Sequence, residues 1–136
     1  MFNRAQVMRG SDGIVQKQIV GDGISAILGT TIQASDSNQT ITANAIGGGL
    51  YVRNGMTAGR TDTTDTALNI LAANAGMDNG DSFLLVVSVS TAFALTLAGG
   101  AGVTFVAGGK TSIPASSFGL VQFIKTSDTT MQMRIL

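Results

Sequence analysis

Four groups of residues have the types and spacing to do chemistry. Gly21-Asp22-Gly23-Ile24-Ser25-Ala26 follows an apolar run and fits the outline of a dinucleotide-binding turn, G-x-G-x-x-A. Such a turn needs a helix directly after it, inside a βαβ unit, so that backbone N–H groups meet the pyrophosphate. Ile24 to Ile32 is β-branched and broken by turn formers, so the glycines read as a strand end and no cofactor is expected. Asp78-Asn79-Gly80-Asp81 has the look of a calcium loop, but a chelating Glu must close that loop and the chain has none. Asn79-Gly80 reads instead as a tight turn, and no metal is expected. Asp62 and Asp65 flank Arg60, an arrangement that reads as helix capping with a local ion pair. Serines near Lys17, Lys110 and Lys125 could form Ser–Lys pairs only if buried together, and Lys110-Thr111-Ser112 and Lys125-Thr126-Ser127 read as turn edges.

The rest of the usual catalytic kit is missing. With His 0 and Cys 0, the chain has no Ser-His-Asp triad, no thiol nucleophile and no thiolate-bound zinc. With Trp 0 and Tyr 1 there is little aromatic surface on which to stack a sugar or base. Asn38-Gln39-Thr40 is a formal glycosylation sequon that matters only in a eukaryotic secretory setting. The expectation is a protein that is not an enzyme.

Composition points the same way. Eight Lys+Arg balance eight acids, for a net charge of zero and a pI near 6.0. The basic residues are scattered, so neither nucleic acid nor an anionic membrane is an expected partner. Only 12% of residues are charged and mean hydropathy is +0.33. Yet the longest strongly apolar run, Phe83 to Val87, is far short of the roughly 20 residues that span a bilayer. The first residues, MFNRAQVMRGSDG, lack the apolar stretch of a secretory signal. A chain of zero net charge, this apolar and with no spanning segment, reads either as carrying surface buried against other subunits or as a β domain rich in small residues.

The elements that must position these residues are mostly strands. Residues 1–13 read as an extended N-terminal arm, and residues 14–136 as a single β domain. Strand candidates are Ile14–Val20, Ile24–Ile32, Thr40–Ile46, Leu50–Arg53, Thr57–Thr63, Ser82–Ser90, Ala92–Ala98, Gly102–Val106, Phe118–Lys125 and Thr129–Leu136. Asn54-Gly55 suits a type I′ hairpin turn, and Leu95-Thr96-Leu97-Ala98-Gly99-Gly100-Ala101-Gly102-Val103-Thr104-Phe105-Val106 reads as another hairpin. Pro114 lies in a connection, where it costs no ladder bond. One segment has helical spacing: Ala67, Leu68, Leu71, Ala72 and Ala75 predict a short helix around residues 65–75. Thr64, Asp65 or Thr66 would cap its start and Gly76 its end. Phe83, Phe93, Phe105, Phe118 and Phe123 place the core in the C-terminal half. The fold class is therefore all-β, a β-sandwich or flattened barrel, with one inserted helix.

Taken together, Gly48–Arg53, Thr57–Thr63, the short helix, Asn79–Phe83 and Leu95–Thr104 resemble small structural proteins of tailed bacteriophages. Among these the pattern is most similar to capsid decoration (cement) proteins, over about residues 40 to 136. It departs at the helix start, where Asp65 stands in place of a proline common in such sequences. The resemblance implies a virion protein on the outer capsid surface, a homotrimer that binds the major capsid protein at capsomer junctions and stabilises the head. In that setting the arm residues Phe2, Asn3, Arg4 and Arg9 are the expected capsid contacts, since an apolar anchor with arginines suits an interface. The alternatives are a head- or tail-fibre module that attaches to a host, a non-viral β-sandwich interaction domain, and a small hydrolase or lectin.

Overall fold

A computed structural model describes the backbone of residues 4–9 and 15–20 and, in full, residues 29–136. Among the described residues it is mostly β, with mixed sheets and two short helices. Strands β1 (Arg4–Arg9) and β2 (Val15–Val20) pair antiparallel, with Arg4 opposite Val20 and Arg9 opposite Val15. The segment expected as an extended arm thus supplies one strand of a two-stranded ladder. Of the second strand candidate, only β3 (Gly29–Gln33) falls among the described residues.

From β3 the chain winds between two sheets. It crosses to β4 (Thr40–Ile41), runs through helix α1 (Ala43–Gly48), and returns as β5 (Gly49–Arg53). The circuit repeats as β6 (Arg60–Thr64), helix α2 (Ala67–Ala73) and β7 (Ser82–Val89), then crosses again to β8 (Leu95–Ala98). Successive circuits stack in parallel: β3 on β5 on β7 in the larger sheet, β4 on β6 on β8 in the smaller. The remaining strands are β9 (Val103–Phe105), β10 (Ser112–Ile113), β11 (Ser117–Lys125) and β12 (Met131–Ile135). Both β10 and β11 run antiparallel to the last circuit, on β8 and β7, and so end the winding. The final orders are β3-β5-β7-β11-β12-β9 and β10-β8-β6-β4.

The two helices begin alike. Thr42-Ala43-Asn44-Ala45-Ile46 and Thr66-Ala67-Leu68-Asn69-Ile70 share a T-A-x-x-I pattern. Each threonine hydroxyl accepts from the backbone N–H three residues on, at 3.2 Å, which satisfies a donor the helix leaves open. The alanine and isoleucine of each pattern, one turn apart, are buried. This explains the first correction. Residues 40–46 alternate like a strand, but Thr42 caps a helix after only Thr40–Ile41 is extended. The expected helix is present but shorter: Thr66 is its cap and Asn74 its C-cap.

Neither glycine hairpin forms. Asn54-Gly55 carries the chain from one sheet to the other, and Asn54 N–H bonds Gln33 O at 3.0 Å. Gly55 has φ 76°, and a Cβ there would lie 2.1 Å from Ala34 O, so close approach explains the glycine. The Gly99–Gly102 segment likewise crosses between sheets, since β8 pairs with β6 and β10 whereas β9 pairs with β12. A Cβ on Gly100 would sit 2.4 Å from Thr64 O. These glycines let two chain segments touch.

One hydrophobic cluster takes residues from both sheets and both helices, among them Ile41, Ile46, Ile70, Leu85, Leu95, Ile113, Phe123 and Met133. Phe83 stacks on Phe123 with ring centroids 5.4 Å apart, and Phe105 packs at the cluster's edge. Phe93 and Phe118, expected in the core, are instead 40% and 68% exposed.

Candidate functional site

Two features gather side chains from separate elements. The first is a buried polar clasp between the sheets. Alternation along β5 turns Tyr51 and Arg53 inward, and along β6 it turns Asp62 and Thr64 inward. Arg53 and Asp62 are both 0% exposed. The Arg53 Nε–H and the Tyr51 hydroxyl each donate to Asp62 Oδ2 at 2.9 Å, and Gln39 N–H donates to Oδ1 at 2.9 Å. Arg53 also donates through its Nη atoms to the carbonyls of Ser35, Ser37 and Asn54. A buried charge costs several kcal/mol unless its lone pairs and protons are matched, and here they are. Burial, reinforced by the Asp62 charge, holds the Tyr51 phenol protonated well above the usual tyrosine range.

Just outside lies a second arginine–aspartate pair. Arg60 Nη2 donates to Asp36 Oδ1 at 2.9 Å, with both side chains partly in solvent. Thr57 donates to Asp36 through its hydroxyl and its backbone N–H, the latter at 2.8 Å. Those two bonds, then Arg60, hold the Asp36 carboxyl down at about 2. The expected pairing of Arg60 with Asp62 and Asp65 is therefore corrected. Asp62 is drawn inward by Tyr51 and Arg53, whereas Asp36 comes alongside Arg60 from the loop before β4. Asp65 serves backbone instead: its carboxylate accepts from Ala43 N–H, Thr66 N–H and the Asn69 side chain, at 3.0, 2.8 and 2.7 Å. The Asn69 bond first, then the two backbone bonds, lowers its pKa. One carboxylate thus ties the start of α1 to the start of α2.

The other candidates scatter. Asp78 and Asp81 close a turn on each other, Asp78 N–H to Asp81 Oδ2 at 2.9 Å, with Gly80 at φ 92°. Among the described residues no group of three or more acidic, His or Cys side chains is placed to hold a metal. Lys125 Nζ meets Met77 O at 2.9 Å and Asp128 at 3.1 Å, and Lys110 lies exposed in the connection before β10. Phe2, Asn3 and the Gly21–Ala26 turn lie outside the described residues, and Arg4 and Arg9 stand at the ends of β1.

The second feature is the outer face of the larger sheet. Register places Ile32, Val52, Ser88 and Phe118 side by side in one row. The next row is Thr30, Leu50, Val86 and Leu120, beside Leu136, whose N–H bonds Leu120 O. Leu84 continues the patch, opposite Gln122. Phe118, Ile32, Leu84 and Leu136 are exposed by 68, 65, 50 and 50%. Neither of the two rows contains a charged side chain. Arg134, opposite Gln122 on the same face, donates through Nε to Gln122 Oε1 at 2.8 Å. A signal for this face was present in the sequence. Phe83-Leu84-Leu85-Val86-Val87 is apolar at both parities, the mark of a strand covered on both sides.

Comparison with known proteins finds no matching family model, no similar curated protein and no similar solved structure.

Proposed function

We propose that this chain is a structural virion protein of the capsid-decoration class, working by surface and assembly rather than by catalysis. In this reading it is a β-sandwich that associates with itself as a trimer. It binds the major capsid protein at capsomer junctions on the outer capsid surface and stabilises the head. One observation supports the reading best: the larger sheet leaves two mostly apolar, charge-free rows on its outer face, on a scaffold clasped between its sheets by Tyr51, Arg53 and Asp62. An apolar patch with a polar rim, of about the size of the largest found on single chains, is often a functional contact surface. Phe2, Asn3, Arg4 and Arg9 remain the proposed capsid contacts, so deleting residues 1–12 should abolish capsid binding without unfolding residues 29–136.

A specific observation favours a second reading. The parallel stacking of β3-β4, β5-β6 and β7-β8 is a repeating circuit of the kind that extended fibres multiply. A head- or tail-fibre module for host attachment therefore stands as the alternative. Quantitative mass spectrometry of purified virions separates the two. Roughly one copy per few capsid subunits fits decoration, a handful per particle fits a fibre, and absence from the particle refutes both.

A further inference from the structure

We infer that the outer face of the larger sheet is where a second copy of this chain packs. The assignment rests on the self-associating part of the reading above and names the surface. Ile32, Leu50, Val52, Leu84, Val86, Phe118, Leu120 and Leu136 crowd this face, and four of them are at least half exposed. Five strands at about 4.8 Å spacing and five residues at about 3.3 Å give a flat footprint of roughly 400 Å². A standard interface buries about 800 Å² per partner, with an apolar core inside a polar rim. The patch is the right size for that core, and Thr30, Gln122, Gln132 and Arg134 are placed to form the rim.

Charge decides which occupant fits. The two central rows offer no charge for a partner to match, so only an equally uncharged apolar surface meets them without stranding a buried ion. A second copy carries that surface. With net charge zero, it also approaches without long-range repulsion.

The test uses the full chain, whose monomer mass is 13.8 kDa. Light scattering after size exclusion, together with sedimentation, should find the wild type as an oligomer at micromolar concentration. Phe118→Asp should weaken self-association at least about thirtyfold, the loss typical of a central interface residue. Ile32→Lys should act in the same direction. Both sites are more than 60% exposed, so circular dichroism and thermal unfolding of the monomer should be unchanged. Leu68→Lys, at a 59% exposed position on α2, should leave the oligomer intact. A monomeric wild type overturns the inference, as does an oligomer that Phe118→Asp leaves unaltered. A monomer that loses binding to purified heads on Phe118→Asp also overturns it and gives the face to the capsid. Intact, Phe118-dependent oligomers that heads fail to take up uphold the interface and sink only the decoration reading.

Discussion

Two arginine–aspartate pairs pin the same loop, residues 34–39, from opposite sides. Arg53–Asp62 does so from within, with no exposure on either side chain; Arg60–Asp36 does so from the surface. Both have a 2.9 Å N–O contact. Depth separates them. Inside, each charge has lost its water, so every remaining partner counts and removing one leaves a bare ion. At the surface, water and salt replace whatever is removed. The same two residue types thus make a structural fastener in one place and a minor adjustment in the other.

The largest expected effect comes from breaking the inner pair. Asp62→Ala should cost about 3–5 kcal/mol, because Arg53 stays buried without its carboxylate. That is a large share of the roughly 5–15 kcal/mol that holds a typical domain folded. Urea unfolding at neutral pH reads it. The double variant Arg53→Met, Asp62→Leu separates an ion pair from a clasp. If charge pairing were the whole story, an apolar replacement would restore wild-type stability. Here it should recover only part, because the carbonyls of Ser35 and Ser37, the Gln39 N–H and the Tyr51 hydroxyl all lose partners.

Tyr51→Phe comes next, removing one hydrogen bond to a charged acceptor at a cost of about 1.5–3 kcal/mol. Tyr51 is the sole tyrosine, so its ionisation can be followed directly by absorbance. Its raised pKa means that its contribution is complete below the ordinary value of 10.0 and is lost as pH climbs beyond it. Tyrosinate should therefore appear only together with unfolding. Ionisation near pH 10.0 in the folded chain would show that the clasp admits water. Thr66→Ala should cost about 1 kcal/mol through the lost helix cap, read from the same urea curves.

Which of these groups could be read from the sequence follows from the range of the interaction. Strand alternation and the T-A-x-x-I caps are local, so most strands and α2 were legible, and α1 would have been had the Thr42 and Thr66 patterns been set side by side. Pairing was not legible. Leu95–Val106 has every local sign of a hairpin, yet its two strands join different sheets because Gly100 packs against Thr64 and Asp65 backbone far away in sequence. Arg60 was matched to its sequence neighbours Asp62 and Asp65, whereas its carboxylate comes from Asp36. Arg53 carries no local sign of burial, since an arginine ending a strand usually points into water. Its burial depends on Asp62 and on the loop carbonyls of residues 35 and 37, which only the winding of the chain brings together.

The outer pair gives the smallest effect and the sharpest contrast, because it stands partly in solvent. Asp36 titrates near 2 in the folded protein against an ordinary value of 3.8, owing to the two Thr57 bonds and then Arg60. A depressed folded pKa contributes stability that is present above the unfolded value and disappears as pH falls through the folded one. The contribution of Asp36 is therefore complete above about pH 4 and gone near pH 2. Asp36→Asn should lower the melting temperature slightly at neutral pH, with the gap to wild type closing as pH falls through that window. High salt should shrink the gap at neutral pH, and Arg60→Ala should reproduce only its smaller, salt-sensitive part. Asp65, also depressed, predicts a residual acid slope in the Asp36→Asn protein. If the variant's acid profile runs parallel to the wild type's throughout, acid sensitivity originates at Asp65 and the helix starts. The surface pair would then be an ornament on the inner one.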